Sequence, residues 1–458
     1  MAVVMNVFLH FLCFSASLYS VTGLNSDGKT LLSMLKHWTV TPLSIKFSWN
    51  AAHSSPCSWA GVKCDNRIDA QFVVALNLSS FDISGWLGPE IANLKHLKSI
   101  DLSYNRLFGS IPPELGNCTL LEDLDLSDNN LTGGIPQSIG NLHNLQSLTL
   151  GQNSLGGTIP PSIWNSTSIE YLCLNLNHLV GSLPRSLENL EELVYLDVSN
   201  NLLEGNLPSV LGNCKKMDTF VFSENLFSGN LPSVFGNIPP ELGGCKSLVE
   251  LRLYENQLEG EIPVELGKLS DLEDLYLFTN RLTGKIPTSI WKIPGLRNVL
   301  LYQNHFSGEL PEEITEMKLL RYLLLYSNKF SGVIPQGLGI NSSLEIVDVS
   351  DNQFTGNLPP DLCFGNQLRV LYLGLNNIQG SIPPGVWRCS SLKRLILKQN
   401  QLTDDGITME SLLLGFVCGL ILGLLTASLM FYTHKPRWFH EIIEVLEICV
   451  SSRKQKKN

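Results

Sequence analysis

A period of 24 residues governs this chain from about residue 74 to 403. In residues 121–144, LEDLDLSDNNLTGGIPQSIGNLHN, Leu121, Leu124, Leu126 and Leu131 are apolar at offsets 0, 3, 5 and 10 of the unit, with Glu122, Asp123, Asp125 and Ser127 polar between them. Alternation over so few residues specifies a short half-buried strand. Asn129 stands where the chain must turn away, with an amide that can both donate to and accept from backbone. Gly133, Gly134 and Pro136 then punctuate the return. Units begin at Leu97, Leu121, Leu145, Ile169, Leu193 and Met217, then at Leu248, Leu272, Leu296, Leu320, Leu344, Leu368 and Leu392. A unit this short cannot bury its own apolar face, so successive units must stack and share a core. A solenoid is expected.

The unit tails, such as Leu131-Thr132-Gly133-Gly134-Ile135-Pro136 and Leu282-Thr283-Gly284-Lys285-Ile286-Pro287, resemble the plant extracellular subclass of leucine-rich repeats. That resemblance implies an α/β repeat solenoid, a right-handed superhelix of about 14 units over 74–403. A single compact core stops growing near about 250–300 residues; a solenoid escapes that limit, so 458 residues do not require several domains.

Residues 1–23 carry an apolar run followed by small residues, with Val21 and Gly23 at plausible cleavage positions, and read as a secretory signal peptide. Sequons at Asn77, Asn117, Asn130, Asn165 and Asn341 agree with export and glycosylation. Over 24–73 the repeat is absent. Ser26-Asp27 precedes Leu31, Leu32 and Leu35 at helical spacing, as an N-capped helix would. Cys57 and Cys64 flank Ser58-Trp59-Ala60-Gly61-Val62, and in an oxidising compartment this spacing reads as a disulfide closing the first coil. The segment resembles the N-terminal cap of plant leucine-rich repeat receptors. Cys118, Cys214, Cys245 and Cys389 share one repeat position and are expected as free core thiols. Cys173 falls on an outward strand position and Cys363 in a return segment, and neither is assigned a partner. No second cysteine pair is therefore expected to close the last coil.

One interval is irregular: the turn asparagines Asn225 and Asn256 lie 31 residues apart, with the return segment doubled over 231–247. A looped insertion, or a unit that has lost its strand, accounts for it.

Residues 412–432 contain no charge over 21 positions, enough for about 31 Å of helix against a hydrocarbon core of about 30 Å. They are expected to cross the plasma membrane once. Asp404, Asp405 and Glu410 lie in the acidic juxtamembrane stretch before them, 404–411. Lys435, Arg437, Arg453, Lys454, Lys456 and Lys457 follow in a short basic tail, 433–458, which places the N-terminus outside. Ahead of this span stand 26 basic and 39 acidic residues, a balance that argues against nucleic-acid binding. Gly415, Gly419 and Gly423 form a double G-x-x-x-G stripe suited to a helix partner. No residues resemble a kinase Gly-rich loop, H-R-D or D-F-G, and no nucleophile, metal cluster or cofactor loop rises above background, so no enzyme activity, metal or cofactor is expected. The C-terminal organisation resembles plant receptor-like proteins that borrow a kinase from a membrane partner.

Because the leucines belong to the core, a ligand is sought on outward strand positions. Tyr254, Phe278, Tyr302 and Tyr326 all occupy offset 6, where the preceding units carry Ser103, Ser127, Gly151, Asn175, Ser199 and Ser223. Strands stacked about 4.8 Å apart would align the four rings into one stripe. Arg252, Tyr276, Arg297, Arg321, Tyr322, Arg369, Tyr372, Lys393 and Arg394 surround it, whereas earlier units present Asp101, Asp123, Asp125, Asp128 and Asp197. An extended peptide is expected along this face, apolar residues on the stripe and an acidic or carboxylate end toward the basic later units. The opening Leu24-Asn25-Ser26-Asp27-Gly28 and the Pro-Cys-Ser-Trp-Ala-Gly-Val cap look similar to plant receptors for endogenous danger peptides. The expected function is therefore that of a surface receptor for a peptide or pathogen-derived elicitor, signalling in defence through a partner receptor kinase; a ligand-sequestering decoy and a hydrolase-inhibiting repeat protein are the alternatives.

Overall fold

A computed structural model describes residues 23–65, 71–228 and 238–403. The signal segment up to residue 22, the apolar span 412–432 with its three glycines, and both flanking stretches lie outside the described residues. No described helix is long and apolar enough to cross a membrane.

The repeat becomes one coil per unit. Each coil contributes a three-residue strand such as Asp123–Asp125 to a sheet that is 15-stranded among the described residues and parallel throughout, apart from the antiparallel entry pair Val62–Asp65 and Phe72–Asn77. Registers step by one unit, so that Leu124 pairs with Ile100 on one side and Leu148 on the other. The leucines at offsets 0, 3, 5 and 10 are buried, Leu121, Leu124 and Leu126 completely and Leu131 to within 1%. A second parallel sheet forms from the return segments, for example Asn130–Gly134 beside Ser154–Thr158. The α/β solenoid implied by the resemblance carries little α-helix in its units: most include a short 3-10 helix such as Gln137–Asn141, and among the described residues Pro384–Trp387 is the one α-turn in the repeats. Ten residues, 137–146, separate Pro136 from the next strand at Ser147, which leaves room for a short, tight helix and the turn that follows it.

The turn asparagines tie coil to coil. The buried Asn129 accepts from the Leu107 amide (2.8 Å) through Oδ1, and its Nδ2 donates to the carbonyls of Leu102, Leu126 and Ser127. The residue just before each asparagine adopts φ near +50°, and in two coils that residue is leucine, Leu176 and Leu375.

At the amino end the helix Ser26–Leu35 is capped by Asn25, whose Oδ1 accepts from the Gly28 amide, rather than by Ser26 or Asp27. Asp27 is buried and accepts from the Val73 amide instead, fastening the helix to the first parallel strand. The Cys57–Cys64 disulfide forms as expected. Trp38, Trp49 and Trp59 fill the cap core in succession, with neighbouring ring centroids 5.5 and 5.6 Å apart.

Two expectations about cysteine are corrected. Cys389 is not a free thiol: it forms a disulfide with Cys363, so a second cysteine pair does exist. The spacing hid it, because 26 residues rather than 24 separate the two, and Cys363 sits in a return segment. Cys118, Cys214 and Cys245 are free and buried, as expected, and Cys173 is free and half-buried.

The irregular interval leaves the 15-stranded sheet unbroken: Phe220 pairs directly with Leu251 across it. The units on either side of it therefore pair directly. The surplus falls on the return side, where the second sheet ends at Leu226–Phe227, a single bridge joins Ser228 to Gln257, and a new sheet starts at Glu259–Gly260.

Candidate functional site

The four offset-6 aromatics come together as the register requires. Tyr254, Phe278, Tyr302 and Tyr326 stack with successive centroids 4.3 Å apart and planes inclined by 9°, 13° and 10°. All four rings are half-buried. Stacking along the solenoid axis uses up the ring faces, so the ladder shows solvent the ring edges and the three phenol hydroxyls. Ring edges carry the positive side of the aromatic quadrupole. The ladder is thus suited to hydrogen-bond acceptors as much as to the apolar side chains expected from sequence. Burial and the adjoining Tyr326 push the Tyr302 phenol pKa upward, so it stays protonated at neutral pH.

The basic residues around the ladder are less free than their number implied. Arg252 pairs with Glu250 of its own strand and lies 5.5 Å from the centre of the Tyr276 ring. Arg297 meets Glu273 at 2.9 Å, and Arg321 meets Glu345 at 2.5 Å. Arg369 approaches the other oxygen of Glu345 at 3.8 Å, and Arg321 lies 5.5 Å from the centre of the Tyr322 ring. The three glutamates were missed in the sequence, although their signal was legible: Glu273 and Arg297, and likewise Arg321, Glu345 and Arg369, share offset 1 of consecutive units and therefore must be neighbours. Burial, with Asp274 beside it, pushes the Tyr276 phenol up to about 12. Tyr372 sits on the strand Val370–Tyr372, half-buried, and pairs in register with Asp348. Lys393 and Arg394 are exposed in the last described coil, along with Lys398. The face therefore has an aromatic, internally charge-balanced middle and a cationic end.

The acidic earlier units have local duties. In Asp101, Asp125 and Asp197, and in Asp348 of a later unit, Oδ1 accepts from both the amide and the hydroxyl of the serine two residues on. No group of residues that could hold a metal ion occurs among the described residues.

The stacked 24-residue coils, the asparagine ladder and the disulfide-closed cap define a leucine-rich repeat protein. The chain carries a leucine rich repeat N-terminal domain over 24–65 and leucine rich repeats over 95–155, 192–214, 247–269, 343–364 and 367–389. Its relatives are the repeat ectodomains of plant receptor kinases. A receptor-like protein kinase of Ipomoea nil is 57% identical over 100 residues, 22% of this chain and 9% of that protein. The Arabidopsis thaliana leucine-rich repeat receptor-like protein kinase PEPR1 is 44% identical over 96 residues, 20% of this chain and 8% of its own. The matches span about a tenth or less of the length of these curated relatives. Among solved structures, the Arabidopsis receptor kinase HAESA, in complex with the peptide hormone IDA and the co-receptor SERK1, superimposes with a TM-score of 0.69 at 33% identity, over 83% of this chain and 66% of that one. A TDR receptor gives 0.65 at 32% identity, over 72% and 60%.

Proposed function

We infer that this is a cell-surface receptor-like protein whose strand face binds an extended peptide, endogenous or pathogen-derived, and which acts in plant defence by engaging a membrane receptor kinase. The observation that carries the reading is the in-register ladder from Tyr254 to Tyr326, which appears abruptly after six units with small or polar residues at the same position. A peptide laid across the strands would set its backbone carbonyls against the phenols and its acidic end toward Lys393 and Lys398. The solved likeness to a receptor in complex with a peptide hormone and a co-receptor supports the partner arrangement.

Affinity purification of the tagged full-length chain from intact plant membranes, with mass spectrometry of co-purified peptides and kinases, tests this. Recovery of a peptide and a receptor kinase is expected. A peptide without a kinase would instead identify a ligand-sequestering decoy, and a cell-wall hydrolase alone would identify an inhibitor.

A further inference from the structure

The second sheet carries an aromatic platform on the opposite side of the molecule from any role given so far. Trp86 and Phe108 are 43% and 41% exposed, an unusual state for such large rings, and their centroids lie 6.5 Å apart. Behind Trp86, His37 packs at a tilt with ring centroids 4.8 Å apart and is itself held by Glu90 at 3.1 Å, so the platform is braced from the cap. Trp86 and Phe108 line an open groove of about 480 Å³ together with Pro112, Ser110 and Glu114.

The strand register says what stands beside it. Phe108 pairs with Asn130 in the parallel ladder, and residues paired this way project from the same face. Asn130 is exposed and opens the sequon Asn130-Leu131-Thr132, whose threonine is exposed too. On the other flank the strand Ser154–Thr158, SLGGT, offers no ring.

We propose that Asn130 carries an N-linked glycan whose first sugars lie across Phe108 and Trp86 and fill this groove. In the transfer, C1 of the first N-acetylglucosamine breaks its bond to the diphosphate oxygen of a polyprenyl-diphosphate donor and bonds to Asn130 Nδ2; the bond electrons leave with the polyprenyl diphosphate, and the proton lost from Nδ2 passes to solvent. The C–H face of the sugar meets the negative face of the Phe108 ring. Sugar hydroxyls donate to Glu114, and Ser110 can pair with the acetamide group. The groove is then a seat for the chain's own glycan, and the proposal stands independently of any ligand on the strand face.

The test uses the full-length chain expressed in a plant secretory host. Glycopeptide mass spectrometry is expected to find Asn130 occupied. Thermal melting is then compared for the chain and Asn130→Gln, each with Phe108 intact, as Phe108→Ser and as Phe108→Leu, the last keeping apolar bulk without a ring. Removing the glycan should lower Tm by about 1–3 °C when Phe108 is present and leave it unchanged in both Phe108 variants. Asn117→Gln, which removes a sequon on a 3-10 helix, should behave alike in all backgrounds. An unoccupied Asn130, or an equal Tm shift with and without the ring, would overturn the proposal.

Discussion

The rings of Tyr302 and Tyr326 lie 4.3 Å apart and within 10° of parallel, although 24 residues of chain separate them. Their faces are committed to each other, so what they offer a ligand is edges and hydroxyls. Replacing either by alanine should weaken binding of a peptide recovered with the wild-type protein at least tenfold, about 1.4 kcal/mol, measured by calorimetry. Phenylalanine at either position should cost less, because only the hydroxyl is lost. Unchanged affinity in both alanine variants would remove the ladder from the site.

Asn304 links the backbones of two coils: Oδ1 accepts from the Leu282 amide, and Nδ2 donates to the carbonyls of Leu277, Leu301 and Tyr302. Alanine there strands a buried amide and leaves carbonyls unpaired. The expected loss is about 2–3 kcal/mol, read as a lower urea midpoint. Asparagines of neighbouring coils should remain ordered, since each makes its own set of bonds.

The Cys363–Cys389 bridge closes a loop with a sequence separation of 26 near the last described coils. Cys389→Ser should cost about 2–4 kcal/mol, whereas native-state alkylation should spare Cys118 and Cys214, whose thiols burial pushes up to about 11. A mass shift on Cys118 in the folded protein at neutral pH would contradict this.

Asp348 is held by Ser350 yet has a raised pKa, because burial outweighs those bonds. A folded-state pKa above the unfolded one gives stability that is complete below about pH 4 and is lost as pH rises through the folded value. Asp348→Asn keeps the acceptor for Ser350. It should therefore raise Tm at pH 7, with the gain vanishing below about pH 4, as a series of melts across pH would show.

Much of this architecture could be read from residues alone, because the period places Leu124, Leu126 and Asn129 at positions that admit one local geometry. The ladder was legible for the same reason: residues sharing an offset must stack. What escaped were relationships that run across the period. Cys363 and Cys389 differ in offset, so only the path of the return segment brings them together. Asp27 lies outside the repeats, and its bond to Val73 depends on how the cap docks. The glutamates beside Arg297 and Arg321 escaped for another reason: charges were counted by unit, whereas the sheet pairs them between units.

The interruption between Asn225 and Asn256 adds seven residues to one coil, yet Phe220 and Leu251 still meet as though nothing had been inserted. The solenoid therefore has a gauge side and a slack side. Length can be gained on the slack side without altering the spacing of anything displayed on the gauge side, so such a chain can lengthen its back while its front keeps the same ruler.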